Sequence, residues 1–278
     1  MIENKLRVAI QGIATSFHEV AAIKYFNKPF TSVECMTFHS LCEALQNNNA
    51  DFAVMAIENS IAGSILPNYF LLQEYHFEIV GELYLPIHMH LLALPGVNIQ
   101  DIKIVESHPM AIRQCSDFLN RMLPLEIKES EDTALSAKNI KEKNSKHTAT
   151  LGNELTAKKY GLNILERRIE THKKNFTRFL ILSKKENKKA DSDKASISFE
   201  VSNEVGSLAK VLTLFSQKDI NLSKIQSIPI IGKPNEYSIH VDLEWSNRVN
   251  YDQAINQILR LTKNLNVLGE YKKGKINY

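Results

Sequence analysis

The sequence is poor in several residue types, and each shortage excludes something. Only three cysteines occur in 278 residues: Cys35, Cys42 and Cys115. An odd, sparse set does not make a disulfide framework, and no pair has metal-ligand spacing. Cys35 and Cys42, beside apolar neighbours, read as small buried hydrophobes. Glycine occurs ten times and tryptophan once. No Gly-rich phosphate loop is present, because Gly12-Ile13-Ala14 follows a strand but lacks the glycines of a dinucleotide fingerprint. Neither charge sign dominates: 34 Lys+Arg against 31 Asp+Glu leaves +3, too little to argue for nucleic acid. The most apolar later stretch, Leu83 to Val97, is interrupted by His88, His90, Pro86 and Pro95 and is too short to span a bilayer. Met1 to Phe17 lacks a cleavage-like ending, so no signal peptide is expected. No Ser/His/Asp order and no metal cluster appears; His88 and His90 share a strand face without a third ligand. With 44% hydrophobic and 23% charged residues, the chain reads as globular, reduced, soluble and cytoplasmic.

What is present is an alternation of strands and helices. Leu6–Ile10, Ser32–Met36 and Phe52–Ile57 read as strands, with helical spacing over Phe17–Phe26 and Phe38–Gln46. Lys103–Val105, Leu125–Lys128 and Ala149–Leu151 continue the strands, with helices over Pro109–Met122 and Thr133–Lys143. This is the rhythm of parallel α/β sheets. Two longer extended stretches, Phe77–Leu94 and Asn163–Ser183, suit crossings between two lobes with a cleft between them. Lys184–Lys194 (KKENKKADSDK) has no large apolar residue and reads as a solvated linker. It divides the chain into about 184 and about 84 residues, both ordinary domain sizes. Beyond it, strand, helix, two strands, helix and strand make a split βαββαβ unit, small enough to be expected to pair with a copy of itself.

Polar clusters mark strand ends, where open α/β sheets bind ligands. Glu58-Asn59-Ser60 closes a buried strand, and Ser60 or Ser64 is placed to cap the next helix. Ser107-His108-Pro109 repeats the arrangement, with Ser107 as an N-cap, Pro109 in the first turn and His108 as a ligand contact or second cap. Ser130-Glu131-Asp132-Thr133 is a third cluster. Three clusters in one domain suggest a shared site for a small anion. Thr177-Arg178 opens an apolar strand. Arg offers a carboxylate a planar, permanently charged fork, and the neighbouring hydroxyl is a hydrogen-bond donor. The plain alternative is an Arg in a surface ion pair at a sheet edge.

Four segments, MAIENSIAGSI (Met55–Ile65), VESHPMAIRQC (Val105–Cys115), ATLGNELTAKKYGL (Ala149–Leu162) and NFTRFLIL (Asn175–Leu182), resemble the prephenate dehydratase family in order and spacing. The resemblance covers nearly the whole chain. It implies a two-lobed catalytic domain of periplasmic-binding-protein type II-like fold over residues 1–184, a linker at 185–194 and a ferredoxin-like ACT domain at 195–278. It implies decarboxylative dehydration of prephenate to phenylpyruvate, without cofactor or metal, in phenylalanine biosynthesis. Thr177 would donate toward the leaving hydroxyl and Arg178 would bind a carboxylate. Ser16, Glu58, Asn59, Ser60, Ser107, His108, Thr133 and Phe179 would line the cleft. The alternatives are arogenate dehydratase and a non-catalytic amino-acid sensor. No fused chorismate mutase segment is expected.

Two motifs depart from the family pattern. Its first loop usually reads like GPxGTFS; here Gly12–His18 is GIATSFH, with Thr15 at the second glycine and His18 at the serine. A threonine adopts positive φ with difficulty. In the ACT-like unit, phenylalanine would bind between paired subunits of a homodimer or homotetramer, at Gly206, Ser207, Leu208, Asn221, Leu222, Gln226 and Ser227. Gln226 and Ile228 stand where the family commonly has Glu and Arg, so an ion-pair-capable element is neutral here. No nucleic-acid or membrane partner is implied.

Overall fold

The structure is a computed structural model that describes residues 5–122, 124–184 and 191–276. The chain opens with β1 (Leu6–Gln11), α1 (Phe17–Phe26), β2 (Phe30–Cys35), α2 (Phe38–Gln46), β3 (Phe52–Asn59), the short β4 (Gly63–Ser64), α3 (Leu66–Tyr75) and β5 (Glu78–Pro86). It continues through β6 (His90–Ala93), β7 (Ile104–Ser107), α4 (Pro109–Gln114), α5 (Ser116–Arg121), β8 (Glu126–Glu129), α6 (Thr133–Glu142), β9 (Thr148–Gly152), α7 (Glu154–Tyr160) and β10 (Asn163–Glu166) before β11 (Phe176–Ser183). Two mixed sheets result, in the orders β2-β1-β3-β11-β5, with β4 beside β3, and β10-β6-β9-β7-β8. The chain passes between them twice, after β5 and before β11, as the two long extended stretches predict. The crossings lie against each other: Ile87 N–H donates to Asn175 O, and Ile169 N–H to Met89 O. Buried Glu170 ties them further, accepting from Met89 N–H at 3.0 Å and lying 3.3 Å from His88 Nδ1.

Local chemistry explains where the helices start. Thr37 and Ser40 form a capping box at α2, and Asn153 and Asp132 cap α7 and α6. The sequence places other caps wrongly. Neither Ser60 nor Ser64 caps α3, which starts behind Ile65 with Pro67 in its first turn. The cap of α4 is His108, whose Nδ1 accepts from Met110 N–H, and not Ser107. Pro109 takes the first helical position, so Ser107 remains inside β7, fully buried, donating to Leu151 O. The expected Pro109–Met122 helix breaks at Cys115.

The last elements are β12 (Lys194–Glu200), α8 (Ser207–Gln217), β13 (Asn221–Pro229), β14 (Tyr237–Glu244), α9 (Arg248–Ile258) and β15 (Lys263–Tyr271), in an antiparallel sheet of order β13-β14-β12-β15. This is the split βαββαβ arrangement. Phe199, Val211, Phe215, Val241, Tyr251 and Ile258 build its core between sheet and helices. The expected linker lies largely outside the described residues, and its last residue is not solvated. Lys194 is the first residue of β12, with its side chain only 1% exposed. Its Nζ lies 3.0 Å from Glu82 Oε1 and 3.4 Å from Glu244 Oε1. Paired carboxylates make burial of this charge tolerable, where an isolated ammonium would stay in water.

The described chain forms two compact units, one of Met1–Ser64 and Tyr84–Phe179, the other of Ile65–Leu83 and Leu180–Lys275. Helix α3 therefore belongs with the C-terminal sheet. Its Tyr69 meets the His240 ring edge-on, and Gln73 hydrogen-bonds the same ring at 2.9 Å. In this unit Gly269 of β15 passes so close to β5 that an added Cβ would lie 2.0 Å from Ile79 O. Gly269→Ala should lower unfolding stability by about 3 kcal/mol through overpacking, read as a shift of the urea midpoint. An unchanged midpoint would show that the strands separate freely here.

Candidate active site

Asn59, the last residue of β3, meets the start of β11. Its Nδ2 donates to Asn175 Oδ1 (2.7 Å), Thr177 Oγ1 (3.0 Å) and Phe176 O (3.2 Å). Its Oδ1 accepts from Ile61 and Ala62 N–H. Thr177 therefore receives a hydrogen bond and retains its own hydrogen for another acceptor, since a hydroxyl offers one donor and two lone pairs. Ser60 Oγ accepts from Phe176 N–H at 2.9 Å and closes the turn on the same strand. Asn175, fully buried, donates onward to Gln114 Oε1 at the end of α4. A line of amides thus joins Thr177 in the first lobe to a helix of the second.

Arg178 follows at once. Alternation along a strand sends it to the face opposite Thr177 and Phe179. It is 4% exposed, with its guanidinium 5.9 Å from the Tyr84 ring centre. The surface ion pair at a sheet edge is excluded, because β11 is an interior strand. Phe179, fully buried, contacts the edge of His18 at 5.0 Å. His18 also packs on Phe38, and its Nε2 is buried without a hydrogen-bond partner. Burial drives the His18 pKa down to about 3, so the ring is neutral at working pH.

The remaining expected residues separate by role. Ser16 caps α1: its Oγ accepts from Glu19 N–H and donates to Gln11 O, so the hydroxyl is engaged. Glu58 is half-buried on β3, opposite Ser64 of β4. Ser107, His108 and Thr133 lie at the strand ends of the second sheet. Beside them Asp132 is pushed above the usual carboxylate range by burial, against the pull of hydrogen bonds from Leu135 and Ala134 N–H and of nearby His108. Two residues not singled out from sequence link this sheet to the first lobe. Asn153 Nδ2 donates to Thr15 O at 2.8 Å, and Thr156 Oγ1 lies 3.1 Å from Thr15 Oγ1. Both lie in the segment Ala149–Leu162, within which the sequence marks no single residue. Thr15 has φ +80°. The loop does require a positive φ here, and the threonine adopts it at a strain of about 1–3 kcal/mol.

In the C-terminal unit, Gly206 is the N-cap of α8 without a side-chain bond, Ser207 begins the helix, and Leu208 and Leu222 pack on the core. Asn221 opens β13, and Gln226 donates to Ser227 O while pairing with His240 across the sheet. Ile228 is fully buried, so the position that is Arg in the family pattern is apolar and enclosed here.

His18 makes acid stability measurable. In the unfolded chain it titrates near the ordinary histidine value, and in the folded protein only near 3. The unfolded state therefore binds the extra proton, and stability falls as pH drops below about 6.5. Between pH 7 and pH 5 this residue alone should remove about 2 kcal/mol. His240, lowered to about 4 by burial, acts in the same sense. Urea unfolding of His18→Leu should show a shallower acid slope than the parent; parallel slopes would contradict the assignment.

The fold and this network define a two-lobed α/β protein with an oriented hydroxyl donor at its strand ends. Among the described residues no group of three His, Cys, Asp or Glu is arranged to hold a metal, and no helix is long and apolar enough to cross a membrane. Comparison with known proteins is specific. The prephenate dehydratase family profile matches residues 8–187. An Arabidopsis thaliana chloroplastic arogenate dehydratase/prephenate dehydratase 2 is 37% identical over 280 residues, covering 96% of this chain and 73% of that protein. The solved structure of prephenate dehydratase from Arthrobacter aurescens in complex with L-Phe is similar at TM-score 0.85 and 25% identity, covering 96% of this chain and 90% of that one. A structure described as GqqA, a novel type of quorum quenching acylase, is similar at TM-score 0.87 and 26% identity, covering 96% and 97%. The chain belongs to the prephenate dehydratase family.

Proposed function

We propose that the first unit carries out the decarboxylative dehydration of prephenate to phenylpyruvate with Thr177 as its oriented donor. The observation that carries this reading is the Asn59–Thr177 hydrogen bond, which fixes the hydroxyl and leaves its hydrogen for the departing oxygen of the substrate. Aromatisation of the ring supplies the driving force, so the protein needs little covalent chemistry. It must hold a dicarboxylate in the reactive conformation and help hydroxide leave as water. A hydroxyl is a weak acid; in a water-poor site a fixed donor gains strength. Arg178 leaves β11 on the face opposite Thr177 and is buried beside Tyr84, so its expected role at a substrate carboxylate requires that face to open to the ligand; Glu58, Asn59, Ser60, Ser107, His108, Thr133, Ser16 and Phe179 are assigned to the walls and support of the cleft.

The residues to 184 then form the catalytic domain, and the βαββαβ unit an ACT domain that binds L-phenylalanine and pairs with a second copy in a cytoplasmic homo-oligomer. The assay is formation of phenylpyruvate from prephenate, and of phenylalanine from arogenate, without added metal. Arogenate is included because the Arabidopsis relative bears both activities in its name. Phenylpyruvate formation supports the reading. Folded protein that binds but turns over neither substrate would leave the sensor reading in its place. Titration calorimetry with phenylalanine, run beside an inhibition curve, tests the effector site; no heat and no inhibition up to millimolar ligand would refute it.

A further inference from the structure

The loop between β1 and α1 is held from the second lobe at two helix starts. An added Cβ on Gly12 would lie 2.7 Å from Asp132 Oδ2, at the cap of α6. Three residues on, Thr15 meets the start of α7. Asn153 uses both ends of its amide there: Oδ1 accepts from Thr156 N–H at 2.9 Å, and Nδ2 donates to Thr15 O at 2.8 Å. The Thr156 hydroxyl lies within reach of Thr15 O (3.3 Å) and Thr15 Oγ1 (3.1 Å). Thr15 is 2% exposed and Thr156 is fully buried, so these bonds are shielded from water. The Thr15 N–H is held as well, donating to Glu19 Oε2 at 2.6 Å. Every polar group of Thr15 is therefore engaged, in a backbone conformation that a β-branched residue adopts only when its surroundings impose it.

We infer that Thr15 is a positioning residue for the reaction: with Thr156 and Asn153 it forms a latch that holds the two lobes of the first unit in the substrate-binding arrangement. Glycine would satisfy the φ angle without strain but would lack the hydroxyl. The threonine retains the strain and gains a hydrogen bond that exists only while the lobes are together. Such a bond acts on the open–closed equilibrium and so on apparent affinity, which scales with the fraction of protein in the binding-competent state. The latch does not touch the reacting atoms, so it should leave the chemical step alone.

The test compares Thr15→Gly, Thr15→Ser and Thr156→Val in the full chain. Thr15→Gly and Thr156→Val should each raise KM for prephenate about fivefold, the loss of one shielded hydrogen bond, with kcat within about twofold. Thr15→Ser keeps the oxygen and should keep the parent KM. The double variant Thr15→Gly/Thr156→Val should be no worse than Thr156→Val alone, because Thr156→Val already removes the bond to Thr15 Oγ1 together with the hydroxyl's other contacts, to Thr15 O and Asn153 Oδ1. This kinetic arm rests on the dehydratase reading. A second arm does not: in substrate-free protein, amide hydrogen exchange over residues 12–16 and 153–157 should quicken in Thr156→Val and remain at the parent rate in Thr15→Ser. Unchanged exchange in Thr156→Val, or additive KM effects in the double variant, overturns the latch. Quickened exchange in Thr156→Val, with a parent protein that does not turn over prephenate, would keep the latch and refute the proposed function.

Discussion

Replacing Thr177 with alanine should lower turnover of prephenate about 10²-fold or more, within the range for loss of a positioned donor. The fold should be unaffected. The substitution deletes an oxygen that accepts from Asn59, and Asn59 Nδ2 retains two other acceptors, Asn175 Oδ1 and Phe176 O. No buried donor is left without a partner, so no large desolvation penalty follows. Thr177→Ser keeps the oxygen and should recover most of the activity. Steady-state turnover and thermal unfolding of the two variants check this together. Parent-like turnover in Thr177→Ala would remove the residue from the reaction. A collapsed unfolding temperature would make it structural instead.

A second large effect concerns stability. Lys194→Met should destabilise the protein by about 3–5 kcal/mol, the range for removing one partner of a buried ion pair. Glu82 and Lys194 have side chains 0% and 1% exposed, and Glu244 12%. Without the ammonium, Glu82 still accepts from Gly274 N–H at 2.9 Å. Hydrogen bonds to neutral groups do not by themselves offset burial of a full negative charge. Adding Glu82→Gln to Lys194→Met removes that charge and should restore a large part of the loss, which makes the effect electrostatic and not steric. Urea unfolding of the parent, single and double variants decides it. A single variant with the parent midpoint would show that water reaches this cluster.

Most elements were readable before the structure because their apolar spacing is unambiguous: the Phe17–Phe26 and Phe38–Gln46 helices have the expected ends. Lys194 was not readable. A lysine at the end of a charged run looks solvated, and the glutamate that buries it lies more than a hundred positions earlier in the chain. The place of α3 was hidden for the same reason, since its partner His240 belongs to another sheet. In the site, Asn59 and Thr177 stood out in their motifs. Asn175, Gln114 and Asn153 did not, because a buried amide and a loop amide are the same letter. Ser107 and His108 exchanged the capping role because Pro109, fixed at the first helical position, sets which residue precedes the helix.

The assignment of Ile65–Leu83 to the C-terminal unit has a practical consequence for dissecting this protein. The second unit is assembled from two separate stretches of chain, so no single cut releases it whole. A fragment beginning at residue 195 would lack Lys194, the buried partner of Glu244, and the whole of α3. The sheet face bearing His240, Gln226 and Ile228 would lose the helix that supplies Tyr69 and Gln73. Effector binding measured on such an excised piece would describe a newly exposed surface, and a negative result from it would say little about the intact chain.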